Sequence, residues 1–443
     1  LKLQASGSSS APIGGLPRRG GAEAARPAGD ASRGGMDEVG SPVRVDFGKP
    51  APRRIGEGLW RAPLRQVDPG GHFFPRSGYA ALPLNSGKDV YFLGGQQGGR
   101  MQNDTWLLRL RPAGASWVEV SAHREPRRVA EGGDTVVSGK WSGRERFGAA
   151  LATVRKGCMA LYVCGGRNSS SVLQDVWASE ENGSTWYCMA QHPPFGLRLE
   201  PGLLAVPGKY EQLVLCGGMS AGDWGTQMNA DIWVSGDAGS NWEELSAPPA
   251  EPRCAPLLAF LPGALAGGER RLLVFGGTCM VKNTAGGFGI REGLLGDAWE
   301  AQISVSAREV TWRQLGDPGH LIFSRGGFNR QNAAFDPSWR WSESSASTPG
   351  DRVWTGRGAL VALVEGRLLA APPAAPFEWV LAGPAHEPLL RGAQSPVLQL
   401  ALAAGPRAPL PRLFVLTANG AYASTAAEVG RQRRWLLRLG EAL

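Results

Sequence analysis

Short apolar runs separated by glycine, proline and polar residues follow one another between residues 75 and 315. The runs come in sets of four. The first follows an arginine or a proline, the second ends in Gly-Gly, the third is opened by Asp-x-Trp, and the fourth carries another tryptophan. Apolar runs of this length, bounded by turn residues, are typical of β-strands. The pattern therefore predicts successive four-stranded units.

The repeat occurs in four copies, whose second runs read VYFLGG, LYVCGG, LVLCGG and LLVFGG. We expect its constant residues to be structural, with the glycines in tight backbone positions and the tryptophans between neighbouring sheets. These residues are Gly94, Gly95, Asp104, Trp106 and Trp117; Gly165, Gly166, Asp175, Trp177 and Trp186; Gly217, Gly218, Asp231, Trp233 and Trp242; and Gly276, Gly277, Asp297, Trp299 and Trp312.

A four-stranded unit of ~50 residues cannot bury both of its faces alone, whereas units stacked around a ring can. The order of Arg-x-Gly, Gly-Gly, Asp-x-Trp and a second Trp resembles the kelch family over residues 75–315. The resemblance implies an all-β fold, a β-propeller of four-stranded blades. We predict six blades, and five or seven remain alternatives.

The remainder of the chain is less regular. The runs at 354–366 and 377–384 predict the first two strands of a fifth unit. A sixth unit is predicted from runs at 395–405, 412–420 and 421–424, with Tyr422 at the first tryptophan position and Trp435 on the fourth strand.

A further similarity between two segments of the chain concerns ring closure. Residues 64–78, LRQVDPGGHFFPRSG, resemble residues 312–327, so 59–67 is predicted to be a free-standing fourth strand ahead of the first unit. A strand donated from the N-terminal side closes a ring and removes an exposed sheet edge. Trp435 competes for the same place, so both assignments stay open.

The predicted domain organisation is a disordered leader over 1–55, rich in glycine, alanine and arginine, followed by the propeller over 56–443. A targeting segment is the alternative interpretation of the leader. Long insertions are predicted at 121–145, 278–295 and 316–356. Strand direction alternates within a unit, so all three insertions are expected on one face, where long loops often carry function.

Candidate binding residues belong to this face. They are Arg76, Arg146, Arg253 and Arg357, predicted to begin first strands, and Arg291, Trp141, Trp339 and Trp341 in the insertions. Tryptophan and arginine are the usual hot-spot residues of protein interfaces. The structural alternative is that the arginines pair with the repeat aspartates and the tryptophans pin loops.

Two segments, SEENGSTWY at 179–187 and SGDAGSNW at 235–242, resemble the Asp-box found in sialidases and other glycoside hydrolases. The repeat places both in the turn between third and fourth strands, where serine, aspartate and glycine stabilise a hairpin. A sialidase also needs an arginine cluster and a tyrosine nucleophile with a glutamate partner, and the six tyrosines fall mostly inside strand runs. We therefore expect a structural role for these turns, with a carbohydrate-active enzyme or lectin as the rival.

Composition narrows the function further. The net charge is +8 with a sequence pI near 9.4, but the excess is scattered arginine, so a solvated, arginine-rich surface is the simpler interpretation and nucleic acid is a poor candidate. A protein partner with an acidic segment is what the kelch resemblance implies, since some domains of that family bind acidic peptides near the channel mouth. No nucleotide-binding motif, CxxC pair or apolar run of membrane-spanning length occurs, and no cofactor is predicted. None of the six cysteines forms a CxxC pair, and free thiols favour a reducing, intracellular compartment. The sequence thus predicts a non-catalytic protein-interaction platform or a subunit of a larger complex.

Overall fold

The chain divides into two compact units, Leu1–Ser41 and Pro42–Leu443, and the residues that the computed structural model describes all belong to the second. The described residues are 64–66, 73–84, 89–111, 114–124, 127–131, 134–155, 158–222, 225–262, 269–282, 290–304, 308–315, 322–323, 330, 333–341, 356–364, 367–371, 380–381, 399–403, 412–417 and 420–424. The predicted leader over 1–55 therefore lies outside them.

The described part is all-β and contains six antiparallel sheets, each with a four-stranded path. Strand β1 (Leu64–Gln66) precedes sheet 1, which contains β2 (Ala80–Pro83), β3 (Asp89–Gln97), β4 (Arg100–Arg111) and β5 (Gly114–Ser121). After a hairpin of β6 (Arg127–Glu131) and β7 (Asp134–Ser138), sheet 2 contains β8 (Gly148–Arg155), β9 (Cys158–Cys164), β10 (Val176–Ser179) and β11 (Tyr187–Ala190). Within sheets 1 and 2 each strand pairs with the next along the chain.

Sheet 3 contains β12 (Gly202–Val206), β13 (Lys209–Cys216), β16 (Ile232–Ser235) and β17 (Glu243–Leu245), with the hairpin β14 (Met219–Gly222) and β15 (Gly225–Met228) inserted between its second and third strands. Sheet 4 contains β18 (Leu257–Phe260), β19 (Arg270–Lys282), β20 (Ile290–Ser304) and β21 (Glu309–Gln314), and β22 (Ile322–Phe323) adds to β20. In sheets 2 and 3 the Gly-Gly pair follows the second strand and the aspartate directly precedes the third, as the sequence predicts. In sheets 1 and 4 the strands are longer and run through both motifs, with a shift of register at Gly-Gly.

Sheet 5 contains β23 (Ala333–Trp341), β24 (Gly356–Val364), β25 (Arg367–Ala371) and β26 (Val380–Leu381). Sheet 6 contains β27 (Gln399–Ala403), β28 (Arg412–Thr417) and β29 (Gly420–Ser424), and β1 completes it as the fourth strand by pairing with β29. The N-terminal strand predicted over 59–67 is therefore present and lies in sheet 6. Trp435, the competing candidate, lies outside the described residues.

The assignment of the fifth unit from sequence is wrong. The run at 354–366, predicted as its first strand, forms β24, the second strand, and the first strand is β23. Strand β23 falls inside the predicted insertion 316–356 and was missed because Pro337 interrupts its apolar run. A bulge between Asp336 and Arg340 accommodates this interruption. Arg357 accordingly lies on β24 and does not begin a first strand.

Neighbouring sheets pack through apolar side chains, as a sheet with two apolar faces requires. One buried cluster, which includes Leu93 and Val163, joins sheets 1 and 2. A second, with Tyr162 and Leu213, joins sheets 2 and 3, and a third joins sheets 3 and 4. The first strands also approach one another in sequence, β2 to β8, β8 to β12, β12 to β18, β18 to β23 and β23 to β27, and β27 lies near β2.

Two ends of the sheets can be distinguished from the topology. In an antiparallel path of four strands, the start of the first strand, the connection between the second and third strands, and the end of the fourth lie at one end. We call this the lead-in end. The β6–β7 and β14–β15 hairpins belong to it, as do the long arms of β19 and β20 beyond Phe275.

No described segment forms a helix of the length and apolarity that a bilayer crossing requires.

Candidate functional site

Four sheets carry the same buried clamp of one arginine, one aspartate and one tryptophan at the lead-in end. The arginine precedes the first strand by four residues, and the aspartate is the residue of the Asp-x-Trp motif. The clamps are Arg76–Asp104–Trp106, Arg144–Asp175–Trp177, Arg198–Asp231–Trp233 and Arg253–Asp297–Trp299. Each clamp therefore links the segment that precedes the first strand to the third strand of the same sheet.

The second clamp illustrates the geometry. The guanidinium of Arg144 donates to both carboxylate oxygens of Asp175 at 2.6 and 2.8 Å, and to the carbonyl oxygen of Gly165 at 3.0 Å. The indole of Trp177 donates to Asp175 at 2.7 Å. Burial raises the pKa of Asp175, but the charge of Arg144 and the hydrogen bonds from Arg144 and Trp177 outweigh it and hold the pKa below its ordinary value. Such a bidentate pair is fully used within the fold.

Two clamp arginines differ from those expected. Arg76 and Arg253 were predicted to begin first strands, and both lie in buried clamps. In the second sheet the clamp residue is Arg144 and not Arg146, and in the third it is Arg198, which sequence reasoning missed. The constant spacing of four residues to the first strand is the signal that identifies both. Sheet 2 offers two arginines two residues apart, and the Arg-x-Gly pattern matches Arg146-Phe147-Gly148, so it selects the arginine that is not in the clamp.

The residue two positions after each clamp arginine forms a second series, which we call the lead-in residues: Gly78, Arg146, Glu200, Ala255 and, ahead of β23, Arg330. Their backbones are linked in order, with Arg146 N–H donating to Gly78, Glu200 to Arg146, Ala255 to Glu200 and Arg330 to Ala255 over 2.7–3.0 Å. The first four have φ between 50° and 60°. Five sheets are thus joined by main-chain hydrogen bonds at one place.

The side chains of the lead-in residues differ from sheet to sheet and meet in a charged cluster. Arg146 Nε donates to Glu200 Oε1 at 2.8 Å, and the Cys254 thiol approaches Glu200 Oε2 at 3.5 Å. Arg330 reaches across to two other sheets and donates to the carbonyl oxygens of Pro201 at 2.8 Å and Phe147 at 3.2 Å. Burial raises the pKa of Glu200, but Arg146 and Arg330 together hold it below its usual range.

The other predicted binding residues, three tryptophans and Arg291, lie between sheets or on strands. Trp141 is 0% exposed and packs edge-on against Trp186 between sheets 1 and 2, which agrees with the loop-pinning alternative rather than with an exposed hot spot. Trp339 and Trp341 lie on β23 and Arg291 lies on β20. Of the predicted binding residues whose side chains the structure describes, Arg146 is the one that joins the charged cluster.

The turns at 179–187 and 235–242 are closed by their own residues. Ser179 Oγ accepts from Gly183 N–H and Ser235 Oγ from Gly239 N–H, both at 2.9 Å. The indoles of the following tryptophans donate to the same glycines' carbonyl oxygens. Both turns lie between third and fourth strands, at the end opposite the lead-in residues. Their polar groups therefore stabilise hairpins, as the sequence predicts.

Three tyrosines have a raised pKa, which makes their nucleophilic phenolate form harder to reach. Burial raises the pKa of Tyr79 and Tyr162, and burial together with Asp89 raises that of Tyr91 to about 12. A tyrosine nucleophile needs the opposite shift.

No group of three metal-ligating side chains occurs in the part of the chain that the structure describes. All six cysteines are free, and burial raises the pKa of Cys216 to about 12, so it behaves as an apolar side chain.

Searches against protein-family models and against curated proteins return no match for this chain.

Proposed function

We propose that the six sheets are the blades of a closed, kelch-type β-propeller and that the protein is a non-catalytic interaction platform or complex subunit. The succession of close approaches between first strands, returning from β27 to β2, supports the ring. Completion of sheet 6 by β1 supports its closure, because the first and last parts of the chain then share one sheet.

The observation that carries the functional proposal is the contrast between two series of equivalent positions. Clamp residues are the same in four sheets and pair with one another, as structural residues do. In sheets 1, 2 and 4 the arginine donates to both aspartate oxygens, whereas in sheet 3 Arg198 donates to Asp231 Oδ2. The lead-in residues two positions after them are glycine, arginine, glutamate and alanine, and Arg330 continues the series through its backbone hydrogen bond to Ala255. Positions that break the repeat at one place, while the framework around them is kept, are candidates for recognition. Glu200 and Ala255 are buried, whereas the side chain of Arg146 is 30% exposed and can meet a partner.

The surroundings of the lead-in residues fit a protein partner. The inserted hairpins β6–β7 and β14–β15 and the arms of β19 and β20 lie at the same end and enlarge the surface there. The side chains of Arg146 and Arg167 are 30% and 48% exposed, so cationic groups remain accessible beside their glutamate partners. A partner with an acidic segment would complement them.

Two exposed cations at opposite ends of the sheets provide a matched test. Arg100 lies at the tip of the β3–β4 hairpin at the lead-in end, and Lys209 begins β13 directly after the β12–β13 turn at the other end. Proteins that co-purify with the full chain from its source cells are quantified for wild type, Arg100→Glu and Lys209→Glu. We expect at least about a tenfold loss of a specific partner for Arg100→Glu alone, the size of a single interface charge reversal. Equal recovery with both variants would refute binding at the lead-in end.

A further inference from the structure

Arg330 occupies an unusual position among the lead-in residues. Its backbone N–H donates to Ala255 of sheet 4, while its side chain contacts the lead into sheet 2 and the lead into sheet 3. Its two guanidinium contacts are both to carbonyl oxygens, and no carboxylate lies within ion-pairing distance of it in the described residues. The side chain thus fills a place built by other sheets.

That place has the chemistry of a guanidinium receptor. The Pro201 and Phe147 carbonyl oxygens each accept one of the two terminal N–H groups, at 2.8 and 3.2 Å. The Glu200 carboxylate lies close enough to interact with the charge of Arg330 although it bonds to Arg146. Two acceptors in a fork and a nearby negative charge match a planar cation with paired donors.

We propose that Phe147 O, Pro201 O and Glu200 form a binding site for a guanidinium group, which Arg330 fills from within the same chain. An arginine side chain offered by a partner is the external ligand of the same chemistry. The inference does not depend on the proposed interaction function, because the receptor and its occupant are both internal to the fold.

Chemical rescue tests the site directly. Arg330→Ala removes the occupant and leaves the three acceptors. The thermal unfolding midpoint is then measured with guanidinium chloride, urea or sodium chloride at equal concentration. We expect the variant to unfold below wild type, and about 10 mM guanidinium to raise its midpoint by about 2 °C, as a ligand that binds only the folded state does. Urea has the same shape without the charge and should give no rise.

Matched variants separate a specific site from a general ion effect. Arg167→Ala also deletes a lead-in-end arginine, one that pairs with Glu145 at 2.5 Å, but it leaves the receptor filled by Arg330. It should show no guanidinium-specific rise, and neither should wild type. Arg330→Ala combined with Glu200→Gln should lose most of the rescue, because the attracting charge is gone.

Arg330→Gln is the second variant to be taken through the same additive series, in case Arg330→Ala does not accumulate as folded protein. Its shorter neutral side chain leaves most of the receptor open, and a guanidinium-specific rise is expected again. The proposal is overturned if neither Arg330 variant responds to guanidinium more than to urea and sodium chloride. It is also overturned if Arg167→Ala responds equally.

Discussion

The buried clamp of sheet 2 gives the sharpest stability prediction. Asp175→Asn keeps the size of the side chain and removes its charge. Arg144 is 0% exposed and Asp175 20% exposed at the side chain, so the substitution leaves a buried guanidinium without its counter-charge. The new amide N–H₂ must also face a donor: Arg144 if it takes the place of Oδ1, or both Arg144 and Trp177 if it takes the place of Oδ2. Breaking a buried pair costs about 3–5 kcal/mol, and the partial exposure of Asp175 favours the lower value, about 3 kcal/mol.

The control is Asp237→Asn in the turn of sheet 3. Asp237 is exposed, and its partners Asn241 and Ser235 belong to the same turn, so its loss should cost about 1 kcal/mol or less. Urea unfolding, followed by far-UV circular dichroism at neutral pH, gives both free energies from the shift in midpoint. If the two substitutions cost the same, the clamp does not stabilise the fold through a buried charge pair.

The pH dependence of the same clamp has a definite sign. The pKa of Asp175 is lower in the folded state than the ordinary value near 3.9, so the unfolded chain binds the proton more readily. The stability contributed by Asp175 is therefore present above about pH 4 and is lost as the pH falls through the folded pKa. The difference in stability between wild type and Asp175→Asn should shrink over that acid range, and a constant difference would contradict the assignment.

Two further substitutions test packing. Gly165→Ala should cost at least about 2 kcal/mol more than Gly208→Ala. Both glycines have positive φ, 61° and 77°, so the backbone strain of an alanine is similar at the two positions. A Cβ at Gly165 would lie 2.4 Å from the carbonyl oxygen of Arg198, whereas one at Gly208 meets nothing within 4 Å. Urea midpoints compare the two. Trp141→Ala should lower the free energy of unfolding by about 3–5 kcal/mol, because Trp141 is buried, and Tyr187→Ala by about 0.5 kcal/mol or less, because Tyr187 is 55% exposed. Urea unfolding measures both, and similar costs would mean that Trp141 does not pin its loop.

The regular part of the fold was predictable from local chemistry. Gly-Gly marks the end of the second strand and Asp-x-Trp the start of the third in sheets 2 and 3, whereas in sheets 1 and 4 the strands continue through both motifs with a shift of register at Gly-Gly. Sheet 5 lacks both motifs, and Pro337 makes its first strand look like a loop. A strand tolerates that proline only because the pairing shifts around it, and register is a property of two strands rather than of one segment.

The candidate site was only partly predictable. A clamp arginine and a lead-in residue stand two positions apart, and Arg146 was assigned to the wrong series because sequence alone does not say which arginine meets Asp175. Arg330 could not have been found, since its contacts, Pro201 and Phe147, are 129 and 183 residues away. The sequence left open whether Trp141 is exposed or pins its loop, because burial between sheets depends on how the neighbouring sheet packs.

The central claim is that the six sheets form one closed set in which β1 completes sheet 6, since closure brings the lead-in residues to one surface. Strand β1 pairs Leu64, Arg65 and Gln66 with Ser424, Ala423 and Tyr422. Amide hydrogen exchange over 420–424 tests this in chains that lack residues 1–41 or 1–66. Without 1–66, exchange there should accelerate by about tenfold or more, while removal of 1–41 should leave it unchanged. Equal protection in both chains would contradict closure by β1.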